Sequence, residues 1–275
     1  MKIEKGSIIL TVEKVVFGQP WGGLGDNLQY SNLPKLYHDS GKKFYVSAFN
    51  NVRNKNIRKF CWENNPYNFG TVYQKPNIGW KKWIDNNQAF EEIDDLNIIQ
   101  KINLMHGFDK GLGYPTLNIS EELSRSKVKY SYIVDLNAIS TVPNEAGWEE
   151  INDVIKDRKL ININYPSVKN LSPYPDYFNF DKQMNIISIN DLVETLSKTE
   201  TFVCLNSGSH TIAAGLKNLI GRPKNIISFF PGGKDISLPY GRFWFENIDY
   251  INIDGGQMNL VKERKLRIYE KVYSK

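Results

Sequence analysis

Residues 18–41 read GQPWGGLGDNLQYSNLPKLYHDSG. Four glycines, Gly18, Gly22, Gly23 and Gly25, precede a single acid, Asp26, and then a run with helical spacing. Apolar Leu28, Leu33, Leu36 and Tyr37 suit a helix packing one face. Pro34 lacks an N–H and crowds the preceding turn, so a kink or a late helix start is expected there. Glycines without Cβ let a ligand approach the main chain. An acid at a helix start is held ionised by the helix dipole. Such a carboxylate can take a proton from an acceptor hydroxyl, or it can simply cap a Gly-rich turn. The spacing leaves both readings open for Asp26. The pattern G-x-G-x-x-G is not met by GGLGDN, so a dinucleotide fingerprint is absent.

Outward from this stretch the chain alternates strand-like and helix-like segments. Before it, IILTVEKVVFG supplies one or two β-branched strands, and after it KKFYVSAFN supplies another. A short helix is expected within Asn51–Phe60, and Cys61–Asn87 reads as irregular. LNIIQKINLMHGF is read as containing a strand, and GLGYPTLNIS as a crossing segment. A second series begins near Lys127. It comprises the strand KYSYIVDLNAIS, the helix NEAGWEEINDVIKDRK, the strand LININY and the helix INDLVETLSKTE. The strand TFVCLNSGS follows, then the helix HTIAAGLKNLIG stopped by Gly221 and Pro223, the strand NIISFFPGG and the strand YINID. Strand–helix–strand twice over predicts an α/β chain with two parallel-sheet units. The units are expected over residues 1–120 and 121–275, with the boundary between Leu112 and Lys127.

In open α/β sheets ligands sit at the carboxyl ends of strands, near helix N-termini. Two places offer that chemistry. One is Gly22, Gly23, Gly25, Asp26 and Asn27. The other is Asn206, Ser207, Gly208, Ser209 and His210, where two hydroxyls and a helix start could cradle a phosphate or form an ordinary capped turn.

Composition narrows the function classes. The 275 residues carry 41% hydrophobic and 24% charged side chains, enough for a packed core. The net charge of +5 suits an anionic ligand or a membrane surface, but the basic residues are scattered and no nucleic-acid stripe results. The two cysteines, Cys61 and Cys204, do not make a disulfide framework, and no apolar run is long enough to span a bilayer. A cytoplasmic protein, with attachment at the inner face of a membrane left open, is expected. His38, His106 and His210 lack metal-ligand spacing, and no Asp-X-Asp occurs, so no metal site and no cofactor are expected. Trp62, Trp80 and Trp83 either stack on sugars or pack beneath a loop.

GGLGDNLQYSNLPKL resembles the opening of the heptosyltransferase-like glycosyltransferases. ISINDLVETLSKTETFVCLNSGSHTIAAGLK followed by RPKNIISFFPGG is similar to that family's second-domain signature. The resemblance implies a GT-B fold, two Rossmann-like domains facing across a cleft, and transfer of a sugar from a nucleotide-activated donor to a glycan or other hydroxyl-bearing acceptor. It implies inversion without a required metal, with the nucleotide-sugar as substrate and not as a cofactor. Asp26 matches the general base and Gly25 the glycine beside it. Ser207, Gly208 and His210 match the turn that receives the donor phosphates. Ser209 and, beyond Pro231-Gly232-Gly233, Lys234 are further candidate phosphate contacts. Asn206 stands where the family usually has Asp, and the stretch after SYIVDL offers Asn137 and Ser140 but no Lys or Arg. A nucleotide-sugar epimerase and a non-catalytic nucleotide- or glycan-binding relative are the alternatives.

Overall fold

In the computed structural model the described residues are 13–82, 96–120, 122–123, 126–137, 142–168, 171, 174–231 and 244–253. They form two parallel sheets. The first is built from β1 (Lys14–Gly18), β2 (Lys43–Ser47), β3 (Asn68–Val72) and β4 (Ile78–Gly79), in the order β3-β2-β1-β4. The second uses β5 (Tyr130–Asp135), β6 (Ile161–Asn164), β7 (Lys182–Asn185), β8 (Thr199–Leu205), β9 (Asn225–Pro231) and β10 (Asp249–Ile253), in the order β10-β9-β8-β5-β6-β7. Read from β7, and counting strands from β5, this is the 3-2-1-4-5-6 order of dinucleotide-binding folds. The first sheet has the first four places of the same order. Each sheet therefore has one point where the strand order reverses, between β1 and β4 and between β5 and β8. The segments leaving β1, β5 and β8 open onto those crevices, where ligands of such sheets bind. This is the two-unit parallel α/β architecture expected of a GT-B chain.

The Gly-rich stretch yields two helices where one was expected. α1 (Leu24–Leu28) ends in a turn, and α2 (Leu33–Asp39) starts afresh with Pro34 in its first turn, where a missing N–H costs nothing. The short helix expected in 51–60 is α3 (Lys55–Arg58), capped by the Asn54 side chain on Ile57 N and continued as a π-helical turn over Lys59–Glu63.

Two readings are corrected. LNIIQKINLMHGF holds no strand but the helix α4 (Ile98–Met105). Asn97 and Gln100 form a reciprocal capping box, each accepting the other's backbone N–H at 3.1 Å. Ile98, Ile99, Ile102 and Met105 are buried along one face. The irregular region after Cys61 contains β3 and β4. β4 packs so closely on β1 that a Cβ on Gly79 would stand 2.6 Å from the Gly18 carbonyl oxygen, and Gly79 has φ +83.

The remaining helices are α5 (Glu145–Ile155), α6 (Ile189–Ser197) and α7 (Gly208–Ile220). Asn144 and Ser188 cap α5 and α6, and Gly221, left-handed at φ 70, ends α7. β7 has no counterpart among the expected strands; its residues are mostly exposed and show no apolar alternation. One hydrophobic cluster joins both sheets, running from Val15, Phe17 and Phe44 through Leu117 to Ile133, Phe202 and Ile226. No helix among the described residues is long and apolar enough to cross a membrane.

Candidate active site

The loop leaving β1 is laced to the loop leaving β2. Asn50 Oδ1 accepts from Gln19 N at 3.1 Å, Asn51 N donates to Gln19 O at 3.1 Å, and Arg53 N donates to Gly22 O at 2.8 Å. Gly23 is the cap of α1, with Asp26 in the third helical position. One carboxylate oxygen of Asp26, Oδ2, accepts the Gly23 N–H at 3.0 Å. The other has no hydrogen-bond partner among the described residues, and the side chain is partly exposed. The simple reading of Asp26 as the cap itself is therefore replaced by an acid one turn inside, reaching back to the cap.

The space left by the glycines is filled by the chain's own atoms. A Cβ on Gly22 would meet Asn51 Oδ1 at 3.0 Å, and one on Gly23 would meet Asp26 Oδ2 at 2.5 Å. The Arg53 guanidinium lies 3.7 Å from that Gly23 position, bringing a cation beside the acid. Asn27 is buried; its Nδ2 donates to Gly23 O at 2.8 Å and its Oδ1 accepts from Trp62 Nε1 at 2.9 Å. Asn27 thus fastens the loop to the core. Trp62 and Trp80 are buried, so both serve packing; Trp83 lies outside the described residues.

The second turn follows β8. Ser207 caps α7 in extended conformation, and its Oγ lies 2.9 Å from Ser209 Oγ. The opening N–H groups of an α-helix lack carbonyl partners within it and carry the positive end of its dipole. α7 has 13 residues, enough for that dipole to be substantial. His210 is fully buried and serves the scaffold. Its Nδ1 lies 2.8 Å from Ser207 O, so Nδ1 carries the proton, and Nε2 accepts from the Tyr250 hydroxyl at 3.0 Å. The Phe245 N–H donates to the same Tyr250 oxygen at 2.9 Å. Lys234 and Ser140 lie outside the described residues.

These two turns meet. A Cβ on Gly208 would stand 2.8 Å from Leu24 Cβ and 3.2 Å from Gly25 N, and one on Gly25 would stand 3.3 Å from Thr211 Oγ1. The starts of α1 and α7 touch backbone to backbone, glycine to glycine. The structure thus brings Leu24 and Gly25, at the start of the helix that holds Asp26, against Gly208 and Thr211, although about 180 residues separate them in the chain.

The sequence reading did not single out Asp135, Tyr165 or Arg53. Asp135, at the end of β5, is 1% exposed; it accepts from Asn137 N, Asn137 Nδ2 and the Tyr165 hydroxyl. Burial pushes its carboxyl above the ordinary range, and these hydrogen bonds offset part of the shift. Its signal in the sequence was an acid closing an apolar strand, SYIVDL, at a switch point. Cys61 and Cys204 are buried and their thiols are pushed up by desolvation, which suits packing and not nucleophilic attack. Among the described residues no group of three or more His, Cys, Asp or Glu is placed to hold a metal ion.

No protein-family profile matches the chain, and no curated protein does. Solved structures do. TibC, the iron-containing dodecameric glycosyltransferase of enterotoxigenic E. coli, superposes with a TM-score of 0.56 and 16% identity over 87% of this chain. The chain spans 63% of TibC's length. The E. coli heptosyltransferase WaaC with ADP gives 0.51 and 12% identity, over 95% of this chain and 99% of WaaC. A family 9 glycosyl transferase of Veillonella parvula gives 0.50 and 9%, over 95% and 90%. At these identities the likeness is one of fold, and the fold is that of heptosyltransferase-like proteins.

Proposed function

We propose that the chain is an inverting glycosyltransferase that moves a sugar from a nucleotide-activated donor to a hydroxyl of a glycan, lipid-linked or protein acceptor. The observation that carries this reading is the contact between the start of α1, the helix that holds Asp26, and the start of α7, which opens at the turn of Ser207–Ser209. In this mechanism Asp26 takes the proton of the acceptor hydroxyl. The hydroxyl oxygen attacks the anomeric carbon from the side opposite the diphosphate, and the bond from that carbon to the diphosphate breaks. The α7 N-terminus and the Ser207 hydroxyl stabilise the charge that grows on the leaving group.

The transfer step as written gives no role to a metal ion. The test is release of nucleoside diphosphate from a panel of nucleotide sugars, with and without EDTA. WaaC in its ADP-bound form and TibC in complex with an ADP-heptose put ADP-linked sugars first in the panel. Turnover that survives EDTA supports the reading. Loss with EDTA that Mg²⁺ or Mn²⁺ restores overturns its metal-free part. A second reading, a non-catalytic nucleotide-binding relative, is favoured by the lack of any Lys or Arg in residues 136–137 and 205–211. Binding of several nucleotide sugars with turnover of none would decide for it.

A further inference from the structure

The first sheet has one face in the core and one that carries charge. Phe44 and Val46 of β2 join the core with Phe17 of β1, Leu28 of α1 and Leu33 of α2. Lys43 and Tyr45 alternate with them along β2 and so stand on the opposite face. Lys14 of β1 is the register partner of Lys43. Phe69 of β3 belongs to the same face, its ring centroid 5.8 Å from that of Tyr45. Lys14 Nζ lies over the Tyr45 ring at 4.7 Å, and Lys43 Nζ over the Phe69 ring at 5.6 Å. Neither ring joins a core cluster, and Phe69 is 51% exposed.

Two features of this face are unfavourable in water alone. Lys14 and Lys43 start on neighbouring strands about 5 Å apart, and like charges so placed repel. Among the described residues no acid pairs with either of them; Glu13, beside Lys14 in the chain, holds Lys42 at 2.8 Å. Lysines that guard a sheet against pairing stand on its edges, whereas β1 and β2 are the inner strands of the order β3-β2-β1-β4. The second feature is Phe69, which sits at an irregularity of the backbone. β3 has one residue more than β2 between the pairs Phe44–Asn68 and Val46–Thr71, and Gly70 in that bulge has φ 123. Bulges bend a strand and re-aim its side chains. On the segments leaving β2 and β3, Phe49 is 51% and Tyr73 90% exposed.

Lysines interleaved with outward aromatic rings fit an anionic lipid surface. The ammonium groups meet the headgroup charge, and the rings sit where headgroups give way to acyl chains. An acidic glycan would satisfy the lysines equally, but it also brings hydroxyls. Lysine and phenylalanine side chains have no acceptor to offer them. A bilayer surface asks only for charge and apolar area.

We propose that this face of the first sheet, with Lys14, Lys43, Tyr45 and Phe69, docks on an anionic lipid surface. Gly18, where the loop to Asp26 begins, is four residues beyond Lys14 on β1, about 13 Å along the strand. Docking therefore keeps that loop near the headgroups. Flotation with vesicles of phosphatidylcholine alone, and of phosphatidylcholine mixed with phosphatidylglycerol, tests the proposal. The protein should float with the mixed vesicles, hardly with the neutral ones, and less as salt is raised. Lys14→Gln combined with Lys43→Gln should weaken the partition about 30-fold, at about fivefold per lysine. Phe69→Ser should weaken it several-fold at unchanged charge. All three sites are exposed, so thermal melts should match wild type. Lys182→Gln removes an exposed lysine of β7 in the other sheet and should change the partition by less than about twofold. Absence of flotation, equal flotation with neutral and mixed vesicles, or wild-type partition in either the lysine pair or Phe69→Ser overturns the proposal. So does a loss in Lys182→Gln equal to that per lysine of the pair, which would make the attraction one of net charge. Heparin is the other probe. A protein that binds heparin through Lys14 and Lys43 and does not float has a face for acidic glycans, and the proposal falls. No arm reads turnover, so each result leaves the transfer reading as it stands.

Discussion

Asp26 uses one oxygen to hold Gly23 and leaves the other without a hydrogen-bond partner among the described residues. Substitution by Asn keeps an oxygen for the Gly23 N–H and loses a charge near the start of a short helix, worth about 0.3–1 kcal/mol. Stability should therefore change little in thermal melts of Asp26→Asn. Turnover should fall by about two to four orders of magnitude, the usual range for loss of a general base. A folded variant with wild-type turnover would leave Asp26 as a structural acid only. At this scale the sequence was partly legible. A lone acid after four glycines, and a Ser-Gly-Ser turn after an apolar strand, are local signals. The partners of Asp135 are not, since Tyr165 stands 30 residues away and reaches it only because β5 and β6 pair. Asn27 and His210 look like site residues in the sequence because polar side chains near a turn have the same composition whether they face a ligand or the core.

Among the elements, α4 shows how a run of isoleucines misleads. Ile98, Ile99 and Ile102 favour a strand by type, but their spacing is helical and the Asn97–Gln100 box fixes the start. Spacing and cap outweigh type because the helix buries all three on one face. Just beyond its end, His106 accepts from the Tyr37 hydroxyl at 2.8 Å and so ties this helix to α2. Burial, aided by Lys82, lowers the His106 pKa to about 3. The unfolded chain binds a proton near pH 6.5 that the native chain refuses. The stability from the neutral ring is thus complete above pH 6.5 and is lost as pH falls from there toward about 3. At pH 5 the loss is about 2 kcal/mol, at 1.36 kcal/mol per unit. Urea unfolding at pH 7.5 and pH 5 measures it, and His106→Asn should show a smaller drop between the two. An equal drop in both would remove His106 as its source.

At the scale of the molecule, the two parallel-sheet units were legible in outline because such units leave alternating strand and helix segments, whereas the edge strands β3 and β7, half-exposed or more, leave no apolar pattern. The contact between the halves could not be read at all, since a glycine that meets another glycine looks like any loop glycine. It is testable. Gly208→Ala puts a methyl 2.8 Å from Leu24 Cβ, an atom too close to the backbone to swing aside. Overpacking of this kind costs about 1–3 kcal/mol. The variant should unfold at lower denaturant and bind nucleoside diphosphate more weakly. Wild-type stability together with wild-type affinity would mean that α1 and α7 do not touch in solution.

The same contact bears on how the chain is made. Gly25 leaves the ribosome long before Gly208, and at about 5–20 residues per second the helix that carries Asp26 waits roughly 10–40 s for the surface it rests on. Over that interval Leu24 has no Gly208 to lie against, and Pro115 and Leu117 await Gly215, the α7 glycine on which they pack. Newly made N-terminal halves therefore expose apolar surface that finished molecules hide. That surface is where a chaperone would bind during synthesis, and it is why the first sheet expressed by itself would aggregate.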